Sequence, residues 1–272
     1  METVSIRGVS VPKIGIGTWR MDDETARRTV ATALDLGYRH VDTAQMYENE
    51  RGVGRGIRDA DVARDDVFLA TKVNPLNRHY DSILESVESS LQRLAIDHLD
   101  LLLIHWPNPL ADLETVMAAL DEARDRGYTR HIGVSNFGRD RLERARELAS
   151  SPVYTDQVQF HPFWPQQDLL EYAREKDTIL TGYSPLAHGG LLNDDVLETI
   201  ARRYDKTPAQ VALRWAIGHE NVIAIPKSTS PAHLQENLEV FDFELTEAER
   251  RDIARPSKLR TATLYLRQRL GI

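Results

Sequence analysis

Asp42, Tyr47, Lys72 and His105 each lie at or just past the end of a short apolar run, in the segments HVDTAQMYENE, VFLATKV and LDLLLIHWP. If those runs are parallel strands of one barrel, all four side chains emerge at the same mouth. A phenol, an ammonium, a carboxylate and an imidazole gathered there make a proton donor with a tuned pKa. Reduction of a carbonyl by hydride transfer requires such a donor. A free tyrosine titrates at about pH 10, and a nearby ammonium favours the phenolate and lowers that value. Lys72 can supply the charge, and Asp42 can hold Lys72 by an ion pair. His105 is suited to hydrogen-bond a carbonyl oxygen. Singly, each has a bland alternative: a packed tyrosine, a solvated lysine, a histidine capping a strand. The joint pattern carries the reading, because three consecutive strands deliver a member to the same end.

The elements that would position these groups alternate regularly. Strands are expected at Ile14–Thr18, His40–Asp42, Val67–Val73, Leu99–Ile104, Arg130–Val134, Asp156–Phe160, Thr178–Tyr183 and Asn221–Ile225. Helical patterns cover Asp22–Leu36, Asn49–Arg58, Asp81–Leu94, Leu113–Arg126, Arg139–Ala149, Gln167–Glu175 and Pro208–Ile217, with one more after Leu245. Asp22 or Asp23 suits an N-cap, and Gly37 a C-terminal stop. Leu99–Ile104 is an apolar run interrupted only by Asp100, the pattern of a strand buried on both faces of a parallel sheet. Such alternation without a composition break predicts a single (β/α)8 TIM barrel domain over 1–272. The opening VSIRGVSVPKIGIG predicts a small β-hairpin capping the barrel bottom. A doubly wound sheet would carry G-x-G-x-x-G after its first strand. Gly15 and Gly17 lack the third glycine, and the glycines at 52, 54 and 56 fall inside a helical segment, where they read as packing residues.

Bulk properties narrow the function. The 272 residues are 41 % hydrophobic, enough for a large core, and carry a net charge of −8. That balance, with a pI of about 5.6, argues against nucleic acid or an anionic membrane as partner. There is no cysteine, so disulfides and thiolate metal sites are excluded. No metal-ligand cluster is visible. The start, METVSIRGVSVPKIGIG, has neither a basic leader nor a long apolar stretch, so a cytoplasmic location is expected.

The segments GIGTW, YRHVDTAQMYENE, ATKV, DLLLIHWP, IGVSNF, YSPL and IPKSTSPAHLQEN resemble, in order, the motif series of the aldo-keto reductases. They cover nearly the whole chain, and the chain is most similar to the bacterial 2,5-diketo-D-gluconate reductases within that family. The resemblance implies a (β/α)8 barrel that binds NADPH without a Rossmann fold and reduces aldehydes and ketones, of the 2,5-diketogluconate or methylglyoxal type. It makes Tyr47 the acid, Lys72 and Asp42 its tuning pair, and His105 the substrate-orienting group. It places Ser135, Asn136 and Gln157 on the nicotinamide carboxamide and Tyr183 against the nicotinamide ring, with Ser184 and Leu186 beside it. Gly17, Thr18 and Trp19 line the mouth. Lys227 and Ser228, before a short helix opening near Ser230–Pro231, form a phosphate site. Glu236 and Asn237 fall at the adenine. Substrate would meet Trp19, Tyr47, Asn74, His105 and Trp106.

Two positions depart from the family pattern. His233 stands where an arginine often binds the 2′-phosphate. Histidine is a weaker phosphate partner and largely neutral at pH 7, so NADH is expected to be accepted as well. Asn74 stands where an aromatic is common, which predicts a more polar pocket. A monomer acting on a small carbonyl substrate is expected. The rivals are a sugar or polyol dehydrogenase working oxidatively, a Schiff-base aldolase on Lys72, and a slow-turnover NADPH-binding module. Asp42 would keep Lys72 protonated, which argues against a nucleophilic amine.

Overall fold

The computed structural model describes residues 1–257, 259–263 and 266. They cluster into two compact units, each made of separate stretches of chain: a small unit of Met1–Ile14, Gln159–Pro226 and the described residues from Ala232 on, and a large unit of Gly15–Val158 and Lys227–Pro231.

The small unit opens with the expected hairpin. β1 (Thr3–Ile6) pairs antiparallel with β2 (Val9–Pro12), Ile6 opposite Val9. Its two-residue turn puts both Arg7 and Gly8 at positive φ, 52° and 80°. That conformation matches the strand twist and explains the glycine. Glu2 ties the hairpin to Lys13 and to Arg214.

The large unit holds strands β3 (Ile16–Gly17), β4 (His40–Asp42), β5 (Phe68–Val73), β6 (Leu99–Ile104), β7 (Thr129–Ser135) and most of β8 (Val153–Gln159). They pair in parallel and in chain order. Helices α1 (Asp23–Asp35), α2 (Glu50–Asp59), α3 (Tyr80–Leu94), α4 (Leu113–Asp125) and α5 (Arg139–Leu148) separate them. All six residues of β6 are buried, the five apolar ones as expected and Asp100 with them. α1 begins where its cap dictates: Asp22 accepts from the Thr25 amide. α2 is wedged closely between its neighbours. A Cβ at Gly54 would lie 2.0 Å from the Leu94 carbonyl oxygen, and one at Gly52 would lie 2.0 Å from that of Asp23.

In the small unit follow α6 (Gln167–Glu175), β9 (Ile179–Tyr183), α7 (Asp195–Tyr204), α8 (Pro208–Ile217), β10 (Val222–Ala224), α9 (Pro231–Leu238, which starts at the last residue of the large unit) and α10 (Glu247–Ile253). β9 and β10 pair in parallel, and Ala224 makes a parallel bridge with Ile14. Trp215 is core: it stacks on Phe160 and donates to the Arg250 carbonyl. Eight parallel strands alternating with helices give an α/β fold of the (β/α)8 class. Two local differences from the sequence expectation stand out. β8 begins at Val153, three residues before the expected start. Between β9 and β10 there are two helices, where only α8 was expected. α7 rests on Asp194, whose side chain caps the Val196 and Leu197 amides, and on buried Leu197, Ile200 and Ala201.

Candidate active site

Parallel register brings the four chemistry-bearing side chains to one end of the large unit's strands. Asp42 closes β4, Lys72 lies in β5 opposite Leu103, and His105 follows β6 directly. Tyr47 rides on a 3-10 turn, Gln45–Tyr47, just after β4. Lys72 is fully buried and spends its three donors completely. Its Nζ donates to Asp42 Oδ1 at 2.5 Å and to the Thr43 carbonyl at 2.8 Å, and lies 3.4 Å from Tyr47 Oη. Gln157 Nε2 takes the other carboxylate oxygen, Asp42 Oδ2, at 2.7 Å. A buried charge pair is tolerable only when its remaining lone pairs and protons are satisfied, and here they are. The rings of Tyr47 and His105 meet edge to face, with centroids 5.5 Å apart.

Burial and charge set the protonation states. Burial alone would lower the Lys72 ammonium. The Asp42 carboxylate and the Tyr47 oxygen more than offset it, so Lys72 stays charged, above the ordinary lysine range. For Tyr47 the balance runs opposite to the sequence expectation. Burial pushes the phenol above its ordinary value, and the opposing pull of Lys72 is smaller. The sequence shows a cation nearby but not how far water is excluded. The consequence suits an acid: the phenol keeps its proton at neutral pH, while Lys72 waits beside the oxygen that would become negative. Burial, reinforced by Lys72, pulls His105 down to about 3. Its imidazole is therefore neutral, and its buried Nδ1 has no partner.

The turn that carries Tyr47 is held by residues the sequence reading did not single out. Buried Asn49 accepts from Thr43 Oγ1 and donates to the carbonyls of Thr18 and Met21. Gln45 bonds Ser86 and Ser90 of α3 through Nε2 and accepts from the Asn74 amide. Glu50, also buried, accepts from Thr71 next to Lys72 and from Arg93. The signal was the polar residues of TAQMYENE directly after β4, a place where side chains must replace absent ladder hydrogen bonds. Asp156 was likewise missed. It is fully buried, burial pushes its carboxyl well above the usual range, and Oδ1 receives only the Phe137 amide at 3.4 Å.

The candidate cofactor residues divide between the units. In the large unit, Ser135 Oγ donates to the Gln157 carbonyl at 2.7 Å, and Asn136 Nδ2 donates to the His105 carbonyl and to Ser135 Oγ. Asn136 sits at φ 63°, a strained conformation that asparagine tolerates. Gly17 is buried in β3. Thr18 is completely buried, and its hydroxyl is committed to the Asp42 carbonyl. It thus supports the site from behind and has no surface to offer a ligand. Arg20 lies over the Trp19 ring, 4.5 Å from its centroid. Lys227 is exposed, with no ion pair among the described residues, and Ser228 Oγ receives the Ser230 amide. Asn74 spends its side-chain oxygen on the Leu76 amide, and Trp106 is 46 % exposed. In the small unit, half-buried Tyr183 ends β9, Ser184 Oγ is 3.4 Å from His188 Nδ1, and Leu186 follows. His233, Glu236 and Asn237 lie on α9, Asn237 buried and the Glu236 carbonyl bonded by Gln210.

The model of the aldo/keto reductase family matches residues 13–256. An aldo-keto reductase of Mycolicibacterium smegmatis is 42 % identical, covering 88 % of this chain and 87 % of the relative. A methylglyoxal reductase of Escherichia coli O157:H7 is 38 % identical, over 90 % of this chain and 93 % of its own length. A solved structure of a candidate 2,5-diketo-D-gluconic acid reductase B superposes with a TM-score of 0.93 at 41 % identity, covering 96 % of this chain and 93 % of that one. The chain belongs to the aldo/keto reductase family. It is an NAD(P)H-dependent oxidoreductase that acts on carbonyl groups. Among the described residues no helix is long and apolar enough to cross a membrane.

Proposed function

We propose that this chain reduces small aldehydes and ketones, of the methylglyoxal and 2,5-diketogluconate kind, with NADPH as reductant and Tyr47 as proton donor. One observation carries the reading: among the described residues, the Lys72 ammonium is within hydrogen-bond distance of one titratable side chain besides Asp42, the Tyr47 hydroxyl, at 3.4 Å. A reduced nicotinamide, when bound, supplies a hydride to the carbonyl carbon. Everything else falls to the protein. His105, neutral, can offer a hydrogen bond to the carbonyl oxygen without competing for its proton. Tyr47 gives that oxygen a proton as negative charge builds there. An alkoxide is a far stronger base than a phenolate, so the raised phenol still transfers downhill. Lys72 stabilises the phenolate left behind, and Asp42 with Gln157 keeps Lys72 fixed. A charge already in place costs no reorganisation as the reaction proceeds.

The side chains suit the cofactor chemically. Ser135, Asn136 and Gln157 offer the hydroxyl and amides that a carboxamide needs, and Tyr183 an aromatic face. Lys227, an exposed cation beside the Ser228 hydroxyl and the start of α9, is a ready donor set for a phosphate. Ser184, Leu186, Glu236 and Asn237 would flank the remainder, and Gly17, Trp19, Asn74 and Trp106 the substrate. Tyr47→Phe tests the assignment. NADPH affinity, read by fluorescence titration, should be unchanged, while kcat for methylglyoxal falls by roughly 10²–10⁴. Wild-type turnover in that variant would remove Tyr47 from the mechanism.

A further inference from the structure

Away from the catalytic cluster, the large unit presents an open bowl of about 620 Å³ between α2 and α3, lined by Arg51, Arg55, Arg58, Arg93, Ser89, Gln92 and Asp23. Four guanidinium groups share it with one carboxylate, on a chain whose net charge is −8. Arg51, Arg55 and Arg58 follow an i, i+4, i+7 spacing and so share one face of α2, where like charges repel. The glycines at 52, 54 and 56 turn the other side of this helix against α1 and α3. Backbone contact there is so close that a Cβ would fall 2.0 Å from Asp23 O, 2.0 Å from Leu94 O and 2.5 Å from Arg27 O, respectively. Those contacts hold the arginine face outward.

The guanidinium groups are partly preset. Arg93 is held by Glu50 and Ser90, and Arg58 donates to the Leu94 carbonyl. Asp23 is already engaged by the Gly52 amide and is 3.8 Å from Arg55. Among the described residues no carboxylate pairs with Arg51 or Arg58. Elsewhere on this surface arginines do find acids, as Arg27 with Asp59 and Arg126 with Glu122. Unpaired arginines facing one concavity, with a hydroxyl and an amide at its wall, match the fork geometry that binds phosphate.

We propose that this bowl binds a small polyanion carrying two or more phosphate groups, outside the active site. Arg51 and Arg58 lie seven positions apart, a rise of roughly 10 Å along the helix axis. A linear polyphosphate or a bisphosphorylated metabolite can engage guanidinium groups along this whole length at once and match their charge.

The test is calorimetric titration of tripolyphosphate into the NADPH-saturated enzyme, so that the cofactor's phosphate site is already filled. Sodium chloride of equal ionic strength serves as reference. One-to-one binding is expected, weakened at least tenfold in the double variant R51Q/R58Q and unchanged in K227A. Both arginines are exposed, so kcat and melting temperature should match the wild type. Three results would overturn the proposal: no heat beyond the salt reference, equal binding by R51Q/R58Q, or loss of binding in K227A instead.

Discussion

Among its described residues the large unit holds a buried, ion-paired carboxylate toward each end of its parallel strands, and one of the two clusters touches a hydroxyl that can give up a proton. At the carboxyl end Asp42 takes Lys72 and Gln157. At the amino end Asp100, on β6, takes Arg64 at 3.0 Å, Arg130 at 3.1 Å and the Leu69 amide at 2.9 Å. Both carboxylates are nearly inaccessible and fully bonded. The difference lies in where the cation's spare donors go. Arg64 directs its others to the carbonyls of Val67 and His98, groups that never titrate. Lys72 reaches the Tyr47 hydroxyl. A guanidinium is a rigid fork that always stays charged, whereas an ammonium is a compact point charge. An ion pair at a strand end therefore marks structure by default, and it marks catalysis when its third contact is a group that can give up a proton.

Lys72→Met should break that distinction most severely. It leaves Asp42 buried without its cation, which costs about 3–5 kcal/mol of stability. It also removes the charge beside the Tyr47 oxygen. Turnover of methylglyoxal should fall at least a hundredfold even at temperatures where the variant is folded, as circular dichroism would verify. If kcat survives while only the melting point drops, the two clusters are alike and the catalytic reading of Lys72 is wrong.

Asp100→Asn is the matched control. It keeps an oxygen for the Leu69 amide and removes the charge that Arg64 and Arg130 share. Those arginines are partly exposed, 22 % and 47 %, so water recovers some of the loss. Destabilisation of about 1–3 kcal/mol is expected, visible in urea titration, with kcat and KM unaltered at 25 °C. A large drop in kcat there would mean that the amino end also shapes the site.

These contrasts show what the chain discloses and what it keeps back. The alternation of apolar runs and capped helices made the (β/α)8 class legible, and the strand ends made Asp42, Tyr47, Lys72 and His105 legible, because a parallel register turns sequence position into spatial position. The support shell was not. Gln157 meets Asp42 across 115 residues of sequence, and no local pattern announces such a pair. The family resemblance made Thr18 a lining residue, but its hydroxyl turns inward to a carbonyl. The missed α7 was a different failure. Its acidic cap and its buried residues at helical spacing were all present in NDDVLETIARRY. The direction of the Tyr47 shift was hidden for a physical reason: charge neighbours can be guessed from motifs, whereas desolvation is a property of the whole packed site.

Desolvation sets the next expectation. His105 and His161 are both pulled down to about 3, and His219 to about 4, each mainly by burial. The kcat profile should therefore show no inflection from His105 between pH 5 and 8. Stability should respond instead. An unfolded histidine takes its proton near pH 6.5, whereas these folded ones do so only near 3 or 4. Between those values the unfolded chain binds more protons, so stability is complete above about pH 6.5 and declines as pH falls through the window. Melting temperature at pH 7.5 against pH 5 checks the sign. A protein equally stable at both would mean that the three imidazoles are not held neutral.

The smallest effect concerns the proposed 2′-phosphate contacts, whose side chains are exposed. His233 lies exposed in the first turn of α9, and Lys227 just before that helix is exposed as well. An imidazole is a weaker partner for a 2′-phosphate than an arginine, whose planar guanidinium offers a charged fork of donors. With Lys227 supplying the main positive charge, NADPH should be preferred over NADH only modestly. His233→Arg should then raise the ratio of kcat/KM for the two cofactors about tenfold, which corresponds to roughly 1.4 kcal/mol. The gain should appear in KM for NADPH, since the contact is remote from the transferred hydride and binds ground state and transition state alike. A wild-type preference of a thousandfold or more would show that Lys227 and Ser228 already discriminate fully. The substitution would then leave the ratio unmoved, and the surface end of the site would prove as strictly specified as the buried one.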